Sequence, residues 1–136
     1  NKYKREGVPV YEFNNPIKNF YFNFIKKQNP YSLEAVNELL QKFKNNIKII
    51  KGNSNEVLKN LTNIHFDYIF IDGGHAYETV INDLMISKNL LSPSGTILCD
   101  DYDLWHLGAK KAIDDFVKTQ ICDFNVIKER FAKIEF

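Results

Sequence analysis

Acidic side chains follow two apolar segments of the sequence at the point where each segment ends. Asp72 comes directly after residues 66–71, and the pair Asp100 and Asp101 comes after residues 96–99. If these segments are neighbouring parallel strands, their carboxyl ends meet at one sheet edge and the three carboxylates converge. Clustered carboxylates need a cation, and oxygen ligands favour Mg²⁺, Ca²⁺ or Mn²⁺ over zinc. The pattern predicts a divalent-metal site; the alternative is that these acids only cap helices or turns.

A histidine lies three residues beyond the first of these acids. His75 follows Asp72-Gly73-Gly74, and glycines allow the backbone to approach a ligand closely. A neutral imidazole beside a metal-held substrate hydroxyl could accept its proton, so His75 is a candidate general base. A surface loop histidine without a function is the competing interpretation.

Two further segments could contact a ligand. Asn53 and Ser54 follow an apolar segment and precede a helical one, so they could hydrogen-bond a ligand ring or ribose, or form an ordinary turn and helix cap. Trp105 and His106 follow the acid pair in a loop that could cover a substrate. Packing of that loop against the next helix is equally consistent with the sequence.

Alternating strand and helix patterns must position these residues. The continuous apolar segment 66–71 is typical of a strand buried on both faces, and such strands alternating with helices indicate an α/β protein with a mainly parallel sheet. The short link 128–130 predicts a final antiparallel hairpin. The predicted strands are 47–50, 66–71, 96–99, 124–127 and 131–136, with 8–13 as a further candidate. The predicted helices are 17–27, one capped by Ser32, one capped by Ser54, 77–91 and 108–118, with a turn at 92–95.

Length and composition limit the classes of protein. The 136 residues predict one domain, and 18 basic against 17 acidic residues leave a formal charge of +1, which argues against a nucleic-acid partner. Cys99 and Cys122 are too few for a disulfide scaffold, so a reducing, cytoplasmic setting is expected. The chain starts with charged residues and has no long apolar run, which predicts no targeting segment and no membrane partner.

The second half of the chain resembles a known enzyme family. The segments that carry the resemblance are Phe66–Glu78, Asp83-Leu84, Leu90-Leu91, Gly95-Thr96-Ile97 and Asp100-Asp101-Tyr102. They resemble class I S-adenosylmethionine-dependent methyltransferases, in the branch of macrocin- and mycinamicin-type small-molecule and sugar O-methyltransferases related to the catechol O-methyltransferases. The resemblance covers residues 47–136 and leaves residues 1–46 poorly matched.

This resemblance implies a fold and a set of roles. It implies a Rossmann-like sheet and methyl transfer from S-adenosylmethionine to a hydroxyl of a small molecule, such as a sugar. Asp72, Asp100 and Asp101 match the family's metal ligands, with Mg²⁺ expected, and His75 matches its general base. Asn53, Ser54 and again Asp72 match cofactor-binding positions, although the family often has Asp where Asn53 stands.

One departure from the family pattern affects both cofactor and fold. The family's first strand ends in an acidic, glycine-rich loop around the cofactor, yet Gly7 is the only glycine before Gly52. This departure predicts that the first two strands of the fold are lacking, which would leave an apolar strand edge exposed. A fragment of a longer chain is the favoured explanation. Otherwise residues 1–46 fill the gap, or a second copy supplies the edge in a homo-oligomer.

Two other functions stay open at this point. A Rossmann-like module without the cofactor loop could act in binding or assembly without catalysis. A metal-dependent hydrolase could use the same acids with an activated water. Retention of His75 among the three acids favours the methyltransferase.

Overall fold

The computed structural model describes residues 15–25 and 32–136. The chain divides into two compact units, residues 1–51 and 52–136. The candidate strand at 8–13 lies outside the described residues, and the single-domain assignment stays a prediction. None of the helices in the described ranges is long and apolar enough to cross a membrane.

The first unit contains short helices with side-chain caps. The helices are α1 (Pro16–Phe20), a π-helical turn (Tyr21–Ile25), α2 (Leu33–Leu40) and a 3-10 turn (Gln41–Phe43). The Ser32 hydroxyl accepts a hydrogen bond from the Ala35 N–H at 3.1 Å, which confirms the predicted cap of α2. The predicted strand at 47–50 is wrong, because these residues have no strand pairing. A short apolar run forms a strand only where a partner supplies the ladder.

The second unit contains the sheet. In chain order its elements are α3 (Ser54–Val57), a 3-10 turn (Leu58–Asn60), β1 (Phe66–Ile71), α4 (Tyr77–Asn89), β2 (Leu91–Cys99), α5 (Leu107–Lys118), β3 (Asp123–Ile127) and β4 (Phe131–Glu135). The strand order is β1-β2-β4-β3. β1 pairs with β2 in parallel, whereas β4 is antiparallel to both β2 and β3. The predicted Rossmann-like α/β class and its antiparallel C-terminal strands are confirmed, in a mixed sheet whose described part has one parallel pair.

The predicted turn at 92–95 is instead an irregular start of β2. Phe66 pairs with Leu91 and Tyr68 with Thr96, so three extra residues of β2 lie outside the regular ladder. A Cβ atom on Gly95 would lie 2.6 Å from the Leu91 Cγ, so only glycine fits this close approach. The irregular segment lets the chain leave α4 and enter the sheet without a separate loop.

One face of the sheet is covered by α4 and α5 and forms the core. We call it the covered face. Its pairs run straight across the strands: Ile69 with Ile97, Ile71 with Cys99, Ile97 with Ile134, and Cys99 with Ala132. These residues pack against Leu84 of α4 and Phe116 of α5, which are 0% and 1% exposed. Burial of this face supplies most of the apolar stabilisation of the unit.

The opposite face, which we call the open face, carries apolar side chains that stay in contact with solvent. Tyr68 and Phe70 of β1 are 55% and 48% exposed. The prediction that β1 is buried on both faces is therefore wrong in the described structure. β1 lies at one edge of the described sheet, and the helices α4 and α5 pack on the other face.

A tight turn joins β3 to β4 and confirms the predicted hairpin. Lys128 and Glu129 have positive φ values of 52° and 56°, and the Arg130 N–H donates to the Ile127 carbonyl at 3.2 Å. Two central residues with positive φ are the geometry of a type I′ turn, which matches the twist of the flanking strands. The turn brings the Arg130 side chain to the carboxyl end of β2.

Candidate active site

The carboxyl ends of β1 and β2 meet at one edge of the sheet. The Asp100 N–H donates to the Ile71 carbonyl at 2.9 Å, which continues the parallel ladder by one residue. All three predicted metal ligands and His75 line a single small cleft here. The residues lining it are Ile71, Asp72, Gly73, Gly74, His75, Val80, Cys99, Asp100, Asp101 and Ala109. The structure thus brings together the acids that the sequence placed at two strand ends.

Asp101 is a buried acid that contacts the predicted base. Its Oδ2 atom lies 2.7 Å from the His75 Nε2 atom, and its side chain is 11% exposed against 53% for His75. Its φ of 60° is uncommon for a residue with a side chain. A buried carboxylate that accepts a hydrogen bond from Nε2 fixes the tautomer of the ring and leaves Nδ1 with the lone pair.

A second histidine lies beside the first. The ring centroids of His75 and His106 are 4.5 Å apart, and the His106 Nδ1 lies 3.4 Å from the Asp101 Oδ1. The Asp103 Oδ1 holds this residue by accepting from the His106 N–H at 2.9 Å, and it lies 3.0 Å from Nδ1. A Cβ on Gly108 would come within 2.5 Å of the His75 carbonyl, so this glycine lets α5 start against the His75 loop.

Asp100 has a different partner from its neighbour. The Arg130 guanidinium donates to both of its carboxylate oxygens, from Nε at 2.5 Å and from Nη2 at 2.6 Å. These bonds lower the pKa of Asp100 and raise that of Arg130. The Arg130 carbonyl also accepts from the Tyr102 N–H at 2.8 Å. The hairpin turn therefore fixes the strand end through both its side chain and its backbone.

Tyr102, which follows the acid pair, is anchored to α5 by a small polar network. The Tyr102 hydroxyl donates to Asp114 at 2.6 Å, and the Lys110 ammonium donates to Tyr102 at 3.0 Å and to Asp114 at 2.9 Å. Burial and the Asp114 carboxylate raise the pKa of Tyr102. The phenol therefore stays neutral and serves as a structural hydrogen-bond donor.

The predicted cofactor contacts Asn53 and Ser54 lie at the start of α3. Asn53, not Ser54, is the cap, because the Asn53 Oδ1 accepts from the Asn55 N–H at 3.0 Å. Ser54 is already the first helical residue. The cap uses the amide oxygen of Asn53, so its amide nitrogen is not part of the cap and could donate to a ligand.

A buried carboxyl of α4 faces this segment. Asp83 is 6% exposed, and burial raises its pKa, whereas a hydrogen bond with the Ser54 side chain lowers it. A Cβ on Gly73 would lie 3.8 Å from the Asp83 Oδ2. Asp83 thus lies between the start of α3 and the Gly73 loop that leads to His75.

The donor atoms of the cleft suit a divalent cation, with one qualification for Asp100. Asp72, Asp100 and Asp101 provide the oxygen ligands that Mg²⁺ prefers, although Arg130 occupies both oxygens of Asp100. Within residues 15–25 and 32–136, the metal-type side chains whose ligand atoms lie within 4.8 Å of one another are His75, Asp101 and His106. This group contains Asp101 and both histidines, whereas Asp72 and Asp100 line the same cleft without belonging to it.

Two contributors to the site escaped the sequence analysis. Arg130 was treated only as part of a hairpin link, and Asp103 was not singled out. Arg130 is one of two arginines in a chain with 16 lysines, which is the signal that could have drawn attention to it. A planar guanidinium binds a carboxylate with two parallel hydrogen bonds, which a lysine cannot do.

The comparison with known proteins decides the family. A family model described as a methyltransferase domain matches residues 10–102, more than half of the chain. The chain belongs to this family. The match confirms the resemblance to class I methyltransferases, and it begins well before residue 47, where the motif-based resemblance started. No curated protein sequence matches this methyltransferase domain.

Solved structures share the fold of the methyltransferase domain at low sequence identity. The O-methyltransferase NovP matches 76% of this chain with a TM-score of 0.62 and 18% identity. Cofactor-bound Rv0187 from MTB matches 79% with a TM-score of 0.66 and 17% identity. A Staphylococcus aureus protein provisionally assigned as a caffeoyl-CoA O-methyltransferase matches 76% with a TM-score of 0.57 and 22% identity. The domain spans 44%, 57% and 58% of these three chains, respectively.

Proposed function

We propose that this methyltransferase domain belongs to a cytoplasmic enzyme that transfers the methyl group of S-adenosylmethionine to a hydroxyl of a small molecule, such as a sugar, with the help of a divalent metal. The observation that carries the proposal is the 2.7 Å contact between His75 Nε2 and Asp101 Oδ2 at the carboxyl edge of the sheet. A base oriented by a buried carboxylate is what deprotonation of a weakly acidic hydroxyl requires.

His75 acts as the general base. Asp101 accepts the hydrogen bond from Nε2–H, so Nδ1 is the atom that takes the proton of the acceptor hydroxyl. The side chain of His75 is 53% exposed, so a substrate can reach it without rearrangement of the core. Asp101 also stabilises the imidazolium that forms when the proton arrives.

The three acids at the strand ends are the proposed metal ligands. Asp101 contacts His75 through Oδ2, and its other oxygen, Oδ1, is the atom that would bind the metal. Asp72 lines the same cleft. Asp100 would become a ligand if its hydrogen bond with the Arg130 Nη2 broke and released one carboxylate oxygen. A bound Mg²⁺ would lower the pKa of a substrate hydroxyl beside it.

The start of α3 and the end of β1 are the proposed cofactor contacts. The amide nitrogen of Asn53 can donate to the cofactor, and the Ser54 side chain hydrogen-bonds with the buried Asp83. Asp72 lies at the end of β1 and lines the cleft with the base. S-adenosylmethionine, when bound, supplies a methyl group on a positively charged sulfur. The substrate oxygen attacks the methyl carbon, the carbon–sulfur bond breaks, and S-adenosylhomocysteine leaves. The chain's own residues position the two reactants next to each other, which supplies much of the rate enhancement.

Isothermal titration calorimetry on the whole protein tests the proposal. We expect one S-adenosylmethionine site per chain, and we expect Asn53→Ala to weaken binding while Asn125→Ala on the outer strand β3 leaves it unchanged. The non-catalytic binding or assembly module predicts a folded protein that ignores S-adenosylmethionine. Absence of cofactor binding by the folded whole protein would reject the enzyme.

A further inference from the structure

Two imidazoles and one buried carboxylate meet at the sheet edge. The proposed carboxylate metal site needs neither imidazole as a ligand. His75 lies 2.7 Å and His106 3.4 Å from different oxygens of Asp101, and the two rings are 4.5 Å apart at their centroids. The three side chains come from the β1–α4 loop, the end of β2 and the residue before α5. Three separate parts of the chain thus converge on one point.

The spacing of these donors is that of a metal ligand set. Two ligand atoms bound to one transition-metal ion at about 2.1 Å lie about 3 to 3.5 Å apart, depending on coordination geometry. The 3.4 Å separation of His106 Nδ1 from Asp101 Oδ1 lies within that range, and the 2.7 Å separation of His75 Nε2 from Asp101 Oδ2 is shorter, as in a hydrogen bond. All three ligand atoms lie within 4.8 Å of one another, so small side-chain rotations suffice to close the set.

The donor types select a class of cation. Imidazole nitrogen suits Zn²⁺, Co²⁺ and Ni²⁺, whereas Mg²⁺ prefers oxygen ligands and keeps several waters. The group around Asp101 contains two imidazole nitrogens and one carboxylate oxygen, so its donors are chiefly nitrogen. The Asp103 Oδ1 accepts a hydrogen bond from the His106 backbone N–H at 2.9 Å, which fixes the position of His106 at the start of α5.

We propose that His75, Asp101 and His106 form a binding site for a borderline divalent cation such as Zn²⁺. Two protein nitrogens and one oxygen bind the ion and leave a further coordination position open. The site shares Asp101 with the proposed magnesium site and adds both histidines. His75 binds the ion through Nε2, which releases to solvent the proton that it otherwise donates to Asp101, so zinc binding and the general-base role of His75 exclude each other. The proposal does not depend on methyl transfer, because binding of the cation is measured directly.

Competition of the whole protein with a chromophoric zinc chelator tests this site. We expect one Zn²⁺ per chain, and we expect His106→Asn and His75→Asn each to weaken zinc binding at least about tenfold, since each removes a ligand. The matched control is His65→Asn, which alters the third histidine of the chain and should leave zinc affinity unchanged. Mg²⁺ affinity of His106→Asn, measured by calorimetry, should equal that of the wild type.

Two measurements keep the result specific to the proposed ligands. Co²⁺ in place of Zn²⁺ should give a visible absorption band that His106→Asn changes and His65→Asn does not. Cys122→Ser should retain the zinc affinity, because the half-buried thiol lies outside the proposed set. Thermal unfolding confirms that each variant is folded. Equal zinc affinity in wild type and folded His106→Asn, or an equal loss in His65→Asn, would overturn the site whatever the cofactor titration shows.

Discussion

The two faces of the sheet differ both in residue types and in surroundings: the covered face is aliphatic, whereas the open face carries aromatic and charged side chains. On the covered face, Ile97 and Ile134 are fully buried under α4 and α5. On the open face, Tyr68 and Phe70 remain about half exposed, while Lys133 forms a 2.7 Å ion pair with Glu135 further along the same face. Stability is thus concentrated on one side of the sheet.

The difference shows how the site is supported. The candidate active site lies at the strand ends, and the elements that reach it are α4 and α5 from the covered face and the hairpin turn from the far side. Gly108 brings the start of α5 against the His75 carbonyl, and Arg130 brings the turn to Asp100. The site is therefore built on the well-packed side of the unit, which suits a base that must be held in one orientation.

The largest expected effect comes from removing an aromatic ring from the covered face. Phe116→Ala should lower the free energy of unfolding by about 3 to 5 kcal/mol, because Phe116 is 1% exposed and the cavity cannot refill. Tyr68→Ala on the open face should cost less than about 1 kcal/mol. Urea denaturation of the whole protein measures both. Equal losses in the two variants would mean that the open face is covered in solution.

Asp83, the buried acid of α4, is expected to have a smaller effect on the free energy of unfolding. Burial raises the pKa of Asp83 in the folded protein above its value in the unfolded chain. Its contribution to the free energy of unfolding is therefore most favourable below the unfolded pKa and is lost as the pH rises through the folded pKa. Asp83→Asn cannot ionise and should gain about 1 to 2 kcal/mol relative to the wild type at pH 7. Denaturation at pH 4 to 7 measures this difference. A gain that does not change with pH would contradict the raised pKa.

The smallest effect is expected at the boundary of the sheet, where solvent reaches the ion pair. The Arg130 side chain is 55% exposed, so Arg130→Ala should lower the free energy of unfolding at neutral pH by less than the change expected for Asp83→Asn. The guanidinium lowers the pKa of Asp100, so this contribution is present above the unfolded pKa and disappears as the pH falls through the folded one. Lys133→Ala on the open face is the matched control. A cost that does not fall as the pH is lowered would reject the ion pair as its cause.

Local sequence patterns predicted the elements that have clear boundaries. The strand 66–71 is found with the same limits, because an unbroken apolar run ends at Asp72-Gly73-Gly74. The cap at Ser32 and the hairpin at 128–130 also follow from local chemistry. The meeting of Asp72, Asp100 and Asp101 follows from the rule that parallel strands end at one edge.

What could not be predicted depends on contacts between distant residues. The ion pair of Asp100 with Arg130 joins residues 30 apart, and the exposure of Tyr68 depends on which elements pack over the sheet. Residues 47–50 have the composition of a strand but no partner in the described structure. His106 was weighed only as part of a covering loop, because nothing in the sequence places it beside His75.

Formation of S-adenosylhomocysteine by the whole protein is the most direct test of the proposed chemistry. The assay uses S-adenosylmethionine, Mg²⁺ and a panel of sugars and other small hydroxylated molecules. The wild type and His65→Asn should form product at equal rates, and His75→Asn should lose at least about 100-fold, since a general base contributes about that much. No product with any acceptor, or full activity in His75→Asn, would contradict the account.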